Sequence, residues 1–157
     1  MTTPIPAPET AGLLRRLAAI VYDVMVFIAV LLLATIPFVL VAGGAPTNRG
    51  GQLAYQFYVL LIGFLFFGWF WVHGGQTLGM RAWRLRLVDR TGTAITWRQA
   101  LLHFLGAILS WAVFGAGYLW ILVDRDRLSW HDRLSGTRVI VIPKIRRAPA
   151  ASRPSAT

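Results

Sequence analysis

Apolar residues form three long runs along the chain, and each run is flanked by polar or basic residues. The runs cover residues 13–41, 53–72 and 99–123. A helix needs ~20 residues to cross about 30 Å of hydrocarbon, so each run is long enough to span a membrane. The pattern predicts an all-α membrane protein with three hydrophobic helical segments.

The third segment contains a helix-breaking sequence, FGAG, at Phe114 to Gly117. A full crossing would place the eight basic residues after residue 123 opposite the five basic residues of 81–98, which the positive-inside rule opposes. A re-entrant segment broken at FGAG instead puts fifteen of the sixteen basic residues on the cytoplasmic side, with the N-terminus. We favour the re-entrant arrangement, and three full crossings are the alternative.

The polar stretch between the second and third segments has the pattern of a strand. Residues 83–87, WRLRL, alternate apolar and basic side chains, and residues 89–93 have turn-forming composition. We therefore predict a small cytoplasmic β-hairpin whose return arm contains Ile95 and Trp97. Residues 137–142 are a candidate third strand joining it.

Two helix starts are marked by capping-box spacing. Thr96 and Gln99 precede the third segment, and Ser129 and Asp132 lie in a short amphipathic stretch after it. We expect one membrane domain over residues 13–142. The Pro- and Thr-rich residues 1–12 and the basic tail 143–157 are predicted to be disordered.

Composition supports the membrane class. Of 157 residues, 56% are hydrophobic and only 14% are charged, whereas soluble domains average about 25% charged. The net charge is +10, and the basic residues that carry it flank the apolar runs. This distribution predicts contact with anionic lipid headgroups rather than nucleic acid. The absence of cysteine excludes disulfides, thiolate metal sites and cysteine nucleophiles. No cofactor is predicted.

Asp23 is the main candidate for chemistry. After Arg15 and Arg16 at its head, the first apolar run contains no ionisable residue except Asp23 and Tyr22, and a charge there costs roughly 2.5–3.5 kcal/mol. Asp23 is either an ion or proton site or a protonated hydrogen-bonding group. Arg16 lies seven residues earlier, on the same helical stripe but ~10.5 Å away along the axis, so we expect water or another segment between the two side chains.

Enzymatic chemistry is not indicated. Ser129, His131 and Asp132 are too close in sequence to face one another as a triad on a helix. The three histidines have no metal-binding spacing, so no metal site is predicted. His103, within the third segment, is a candidate proton relay. His131 and Asp132 either fix the turn after that segment or form a cytoplasmic gate that reaches Arg16.

Three motifs in order resemble the RDD family of bacterial membrane proteins, named for one arginine and two aspartates. Arg16 and Asp23 match the first two residues, GGQTLGMRAWRLRLVDRTG follows, and Asp132 in WHDRLSGT matches the second aspartate. The resemblance covers roughly residues 12–142. It implies an inner-membrane protein with three predicted membrane segments that is suspected to take part in transport.

The expected function is that of a transporter-like protein that moves a small cation or solute, coupled to protons through Asp23. Its ion, proton or polar cluster comprises Arg16, Asp23, His103, His131 and Asp132. Two or three spans cannot enclose a pathway, so transport would need a homo-oligomer or a larger membrane complex. The alternative is a membrane scaffold or assembly factor in which the arginine and aspartates are structural.

Overall fold

The computed structural model describes residues 9–143, which are mostly helical. Two long helices come first, α1 (Leu13–Ala42) and α2 (Arg49–Gly74). The other elements follow in the order α3 (Leu78–Ala82), β1 (Leu85–Asp89), α4 (Trp97–Ala112), α5 (Ala116–Leu119), a 3-10 turn (Trp120–Leu122), α6 (Trp130–Ser135) and β2 (Thr137–Val141). The predictions made for residues 1–8 and 144–157 lie outside the described residues.

Helices α1 and α2 have the length and apolar character of membrane spans, which confirms the first two predicted segments. Their large apolar side chains point outward; Leu33, for example, is 70% exposed and Val41 is 91% exposed. Such a surface fits hydrocarbon rather than water. α2 begins four residues before the predicted position because Asn48 caps it, its side chain accepting a hydrogen bond from the amide of Gly51.

The third apolar segment is broken where the sequence predicts. Helix α4 meets the segment Ala116–Leu122, which is α5 with the 3-10 turn, at an angle of 105°. Between them Phe114 and Gly115 adopt left-handed backbone conformations, with φ of 54° and 76°. These conformations end α4 and turn the chain. The described part of the chain therefore has two continuous spans and one bent helix pair.

A two-stranded antiparallel sheet joins segments that are far apart in sequence. β1 pairs with β2, with Leu85 opposite Val141 and Leu87 opposite Val139. The predicted sheet and the strand at residues 137–142 are confirmed, but the pairing is not that of a local hairpin. The expected return arm is wrong: Ile95 precedes the Thr96 capping box, and Trp97 already begins α4. Helix capping takes these residues out of the sheet.

The segment before α1 is also ordered by the sheet. The amide of Ala11 donates to the carbonyl of Val139, and the amide of Val141 donates to the carbonyl of Glu9. Thr10 forms an isolated bridge with Ile140. Disorder was predicted through residue 12, and these contacts correct it for residues 9–11.

The buried core lies at the sheet, at the N-terminal end of α1. Leu85 and Leu87 are each 1% exposed, and Ala11, Ala19 and Ala100 pack with them. At this end the start of α1, the end of α2, α3, the start of α4 and α6 all meet the sheet. Among residues 9–143, Arg16, Thr77 and Thr137 are buried polar residues that lie on or next to these elements.

Candidate functional site

Arg16 and Asp132 form a buried ion pair. The Nη1 atom of Arg16 lies 2.6 Å from Oδ2 of Asp132, and the two side chains are 4% and 0% exposed. The guanidinium also donates to the carbonyl oxygens of Ala11, at 3.1 Å, and Arg127, at 3.3 Å. Arg16 is thus directed into the protein, and its partner is Asp132 of α6, whereas Asp23 binds Thr77 and Gly79.

Asp132 also begins the helix on which it lies. Its Oδ2 accepts from the backbone amide of Ser129 at 3.1 Å, while its own amide donates to the Ser129 hydroxyl, which confirms the predicted capping box. Burial raises the pKa of Asp132, but the positive charge of Arg16 and the nearby histidines outweigh it and hold the pKa below its usual value. Asp132 is therefore a carboxylate, and it holds α6 against the head of α1.

Asp23 holds a different segment against the same helix. Its Oδ2 accepts from the hydroxyl of Thr77 at 2.5 Å, and its Oδ1 accepts from the amide of Gly79 at 2.8 Å. Thr77 is also the N-cap of α3 and accepts from the amide of Met80. Among residues 9–143, no lysine, arginine or histidine lies within ion-pair distance of Asp23. Its visible contacts join the start of α3 to α1.

Gly79 is required by this contact. A Cβ atom at this position would overlap the carbonyl oxygen of Ala19 and lie 2.9 Å from the carboxyl carbon of Asp23. Thr77 and Gly79 were not among the predicted site residues. The signal was present as a threonine at N-cap spacing in GGQTLGM, but the partner of that cap lies on α1 and is distant in sequence.

The remaining predicted residues, His103 and His131, lie beside Asp132. Their rings are edge to face with centroids 4.7 Å apart, and His103 Nδ1 is 3.8 Å from Oδ1 of Asp132. His103 Nδ1 is also 3.1 Å from the hydroxyl of Thr137. Gly106 permits the close approach, because a Cβ there would lie 2.8 Å from Cβ of His131. The predicted cluster is thus divided into Asp23 with α3 and the group Arg16, His103, His131 and Asp132.

His131 is neutral at physiological pH. Burial lowers its pKa to about 4, with the charge of Arg16 adding to the effect and the carboxylate of Asp132 opposing it. One donor atom from each of His103, His131 and Asp132 lies within 4.8 Å of the other two. No metal site is predicted from the sequence spacing of the histidines, because packing of α4 against α6 brings these three residues together.

A cavity of about 240 Å³ connects the two groups. Its wall is mostly apolar and aromatic, with side chains from α1, α2 and α4 that include Phe27, Phe67, Trp71, Phe104 and Trp111. Its polar lining includes Arg16, Asp23, Thr77, His103 and His131. An apolar cavity with a few polar side chains in its wall is the usual form of a small-molecule site.

The protein-family model described as the RDD family matches residues 10–136 of this chain, which is most of the sequence. The chain belongs to the RDD family. The RDD match contains Arg16, Asp23 and Asp132, and hence both contacts to α1. No curated protein and no solved structure matches this RDD chain.

Proposed function

We propose that this RDD protein is a transport component of a membrane and that it binds a small cation or solute in the cavity between α1, α2 and α4. The observation that carries the proposal is the buried polar lining of this cavity. Charged side chains within apolar membrane segments are costly, and they are typical of substrate or ion pathways. The two apolar helices would span the membrane. Arg16, His103 and His131 would supply polar contacts to the bound cation or solute.

The fold supports a cytoplasmic N-terminus. The residues before α1, the β1–β2 sheet and α6 are joined at one end, so the chain returns to that end after the α4–α5 bend. With a re-entrant bent pair, fifteen of the sixteen basic residues of the sequence share this side. By the positive-inside rule it is the cytoplasmic side, here of a bacterial inner membrane.

The same end carries a basic groove suited to anionic lipid. A groove of about 660 Å³ is lined by five arginines, with Glu9 and Asp126 as its acidic members. The arginines are Arg90, Arg125, Arg127, Arg133 and Arg138. Attraction of such a cluster to an anionic membrane surface is worth about 1 kcal/mol per basic residue. The groove supports the headgroup contact expected from the net charge.

Transport by this chain requires assembly. Two spans and a bent pair are too few to enclose a pathway, and the apolar face of α1 is exposed in the described part of the chain. We propose that a second copy or a larger membrane protein covers this face. Within such an assembly the cavity would lie at the interface between subunits.

The role of Asp23 divides the two candidate functions. Proton coupling through Asp23 requires that its carboxyl group exchange protons with the cavity. Its two oxygens, however, accept hydrogen bonds from Thr77 and Gly79. These contacts favour the second candidate, a scaffold or assembly factor in which Asp23 and the Arg16–Asp132 pair fix the packing of α3 and α6.

The deciding experiment is ion flux in liposomes containing the purified protein and an internal pH dye. Sodium, potassium or lithium is added outside, and Asp23→Asn is compared with Asp126→Asn, which neutralises an exposed acid. Proton movement that is lost only in Asp23→Asn would support coupling through Asp23. Equal flux in all three proteins would support transport with a structural Asp23. A folded native protein without flux would favour the scaffold.

A further inference from the structure

Three potential metal ligands are buried together where α4 packs against α6. His103, His131 and Asp132 are 6%, 2% and 0% exposed. One donor atom of each lies within 4.8 Å of the donor atoms of the other two. Around an ion with tetrahedral bonds of ~2.0–2.2 Å, donor atoms are about 3.5 Å apart. Movements of about 1 Å in the donor atoms, by side-chain rotation, would therefore allow all three groups to coordinate one ion.

Two of these side chains have atoms that no other group satisfies. Nδ1 of His131 and Oδ1 of Asp132 are buried and have no hydrogen-bond partner among residues 9–143. Leaving such an atom buried without a partner costs roughly 1–3 kcal/mol. The remaining oxygen of Asp132 is occupied by Arg16 and the amide of Ser129. Oδ1 is thus the free lone-pair donor of a carboxylate whose orientation is fixed.

The surroundings of these side chains also suit a metal ion. Arg16 contacts Oδ2 of Asp132 at 2.6 Å and fixes the orientation of that carboxylate. Thr137 and Ser135 contact His103 Nδ1 with their hydroxyls and orient the ring, as outer partners of metal-binding histidines do.

We propose that His103, His131 and Asp132 bind one divalent transition-metal ion, of which Zn²⁺ is the representative case. Two imidazoles and a carboxylate are the ligands that zinc, cobalt and nickel accept, whereas Mg²⁺ and Ca²⁺ require oxygen ligands. Three protein ligands leave a coordination position open. Because His103 and His131 line the cavity, this position is available to water or a solute from the cavity.

Arg16 has a defined place in this site. Its guanidinium binds Oδ2 of Asp132, so the carboxylate would bridge Arg16 and the metal ion. The buried positive charge of Arg16 would disfavour a second cation in the same place. The site therefore holds one ion per chain. It goes beyond the transport proposal, since a metal ion bound here either crosses the membrane or stays as a structural group.

Metal binding is measured on the full-length native chain in detergent, purified with a histidine-free affinity tag and stripped with a chelator. Calorimetry with Zn²⁺ and visible absorption with Co²⁺ are expected to give one ion per chain. The chain has no cysteine and three histidines, so cobalt bands report nitrogen and oxygen ligands alone. X-ray absorption of the zinc-loaded protein should count two imidazoles. No stoichiometric binding, or fewer than two imidazoles, would overturn the proposal.

Single substitutions test the assignment. His103→Gln and His131→Gln should each weaken Zn²⁺ affinity by at least about 100-fold, since loss of a mere outer partner already costs about 10–100-fold. His73→Gln is the matched control, because His73 is exposed and stacks on Trp69 away from the cluster. An equal loss of Zn²⁺ affinity in His73→Gln, or no loss of affinity in His103→Gln and His131→Gln, would contradict the assigned site. If a variant does not fold by circular dichroism, the imidazole count on the native protein decides.

The outcome is separable from that of the transport proposal. Liposomes with an internal zinc dye measure flux, whereas the detergent titration measures binding. Binding of one ion with two imidazoles and no flux would support the metal site and count against transport of that ion. Flux of sodium, potassium or lithium without any metal binding would overturn the metal site and leave transport intact.

Discussion

Arg16 and Asp132 lie 116 positions apart in the chain, and their side chains meet as a buried ion pair with 2.6 Å between Nη1 and Oδ2. The pair joins the first turns of α1 to the first turn of α6. Because α6 leads directly into β2, the same contact fixes the strand that completes the sheet. This ion pair therefore helps, together with the β1–β2 pairing, to position the end of the domain on its beginning.

We predict that removing either member of this pair is strongly destabilising. Breaking a buried ion pair leaves an uncompensated charge and typically costs about 3–5 kcal/mol. Arg16→Gln or Asp132→Asn should lower the thermal unfolding midpoint in detergent, followed by circular dichroism. The matched control is Arg15→Gln, since Arg15 is exposed. The ion pair would lose its assigned role if Arg15→Gln and Arg16→Gln shifted the midpoint equally.

A second prediction concerns the contact between α3 and α1 at Gly79. Gly79→Ala would force a methyl group into the carbonyl of Ala19 and against Asp23, which should destabilise the protein by about 1–3 kcal/mol. Gly74→Ala is the control. The nearest atom to a Cβ at Gly74 is a terminal nitrogen of Arg81 at 3.9 Å, so alanine there should be neutral or slightly stabilising. Thermal unfolding in detergent checks both, and equal effects would refute the close contact.

Acid should destabilise the protein through His131. Its folded-state pKa of about 4 is below the unfolded value near 6.5, so the unfolded chain binds an extra proton between these values. Stability from His131 is therefore complete above about pH 6.5 and falls as pH decreases toward 4, by up to about 3 kcal/mol. His131→Gln should flatten the dependence of the unfolding midpoint between about pH 7 and pH 5.

The exposed His73 again supplies the control for the acid prediction. His73→Gln should leave the pH profile as in the native chain, because that ring is at the surface. His103, Asp132 and Arg16 all face His131 and remain in the His131→Gln variant. If the unfolding midpoint of His131→Gln depends on pH as steeply as that of the native chain, another group causes the acid sensitivity.

Topology gives a fourth prediction. The chain lacks cysteine, so Ala45→Cys and Asp126→Cys each introduce a single thiol at an exposed position. An impermeant thiol reagent added to intact cells should label Ala45→Cys, in the loop between α1 and α2. Asp126→Cys should react only after the membrane is opened. Labelling of both on intact cells would contradict a re-entrant α4–α5 pair.

Local patterns predicted the elements of this fold well. The apolar runs gave α1 and α2, the FGAG sequence gave the break after α4, and capping-box spacing gave the starts of α4 and α6. Each of these features depends on residues within a few positions of one another. The predicted return arm at Ile95 and Trp97 does not pair with β1, which pairs with β2 instead. Such pairing depends on residues that are distant in sequence.

The site was predictable as a set of residues but not as an arrangement. Arg16, Asp23 and Asp132 stand out as charges in or beside apolar segments. The sequence does not reveal that Asp23 is bound by Thr77 while Arg16 is bound by Asp132. The histidines show the same limit, because His103 and His131 meet only through packing of α4 against α6.

The pairing of β2 with β1 and with the residues before α1 has a consequence for synthesis. The ribosome makes the strand that completes the sheet after every membrane segment, so insertion of α1, α2 and the bent pair must precede closure. Until α6 emerges, Arg16 has no carboxylate to bind, and Leu85 and Leu87 have no strand to cover them. A nascent chain stopped before Ser129 would lack both Asp132 and β2 and would expose these groups, so chaperones and proteases would encounter the protein at that stage.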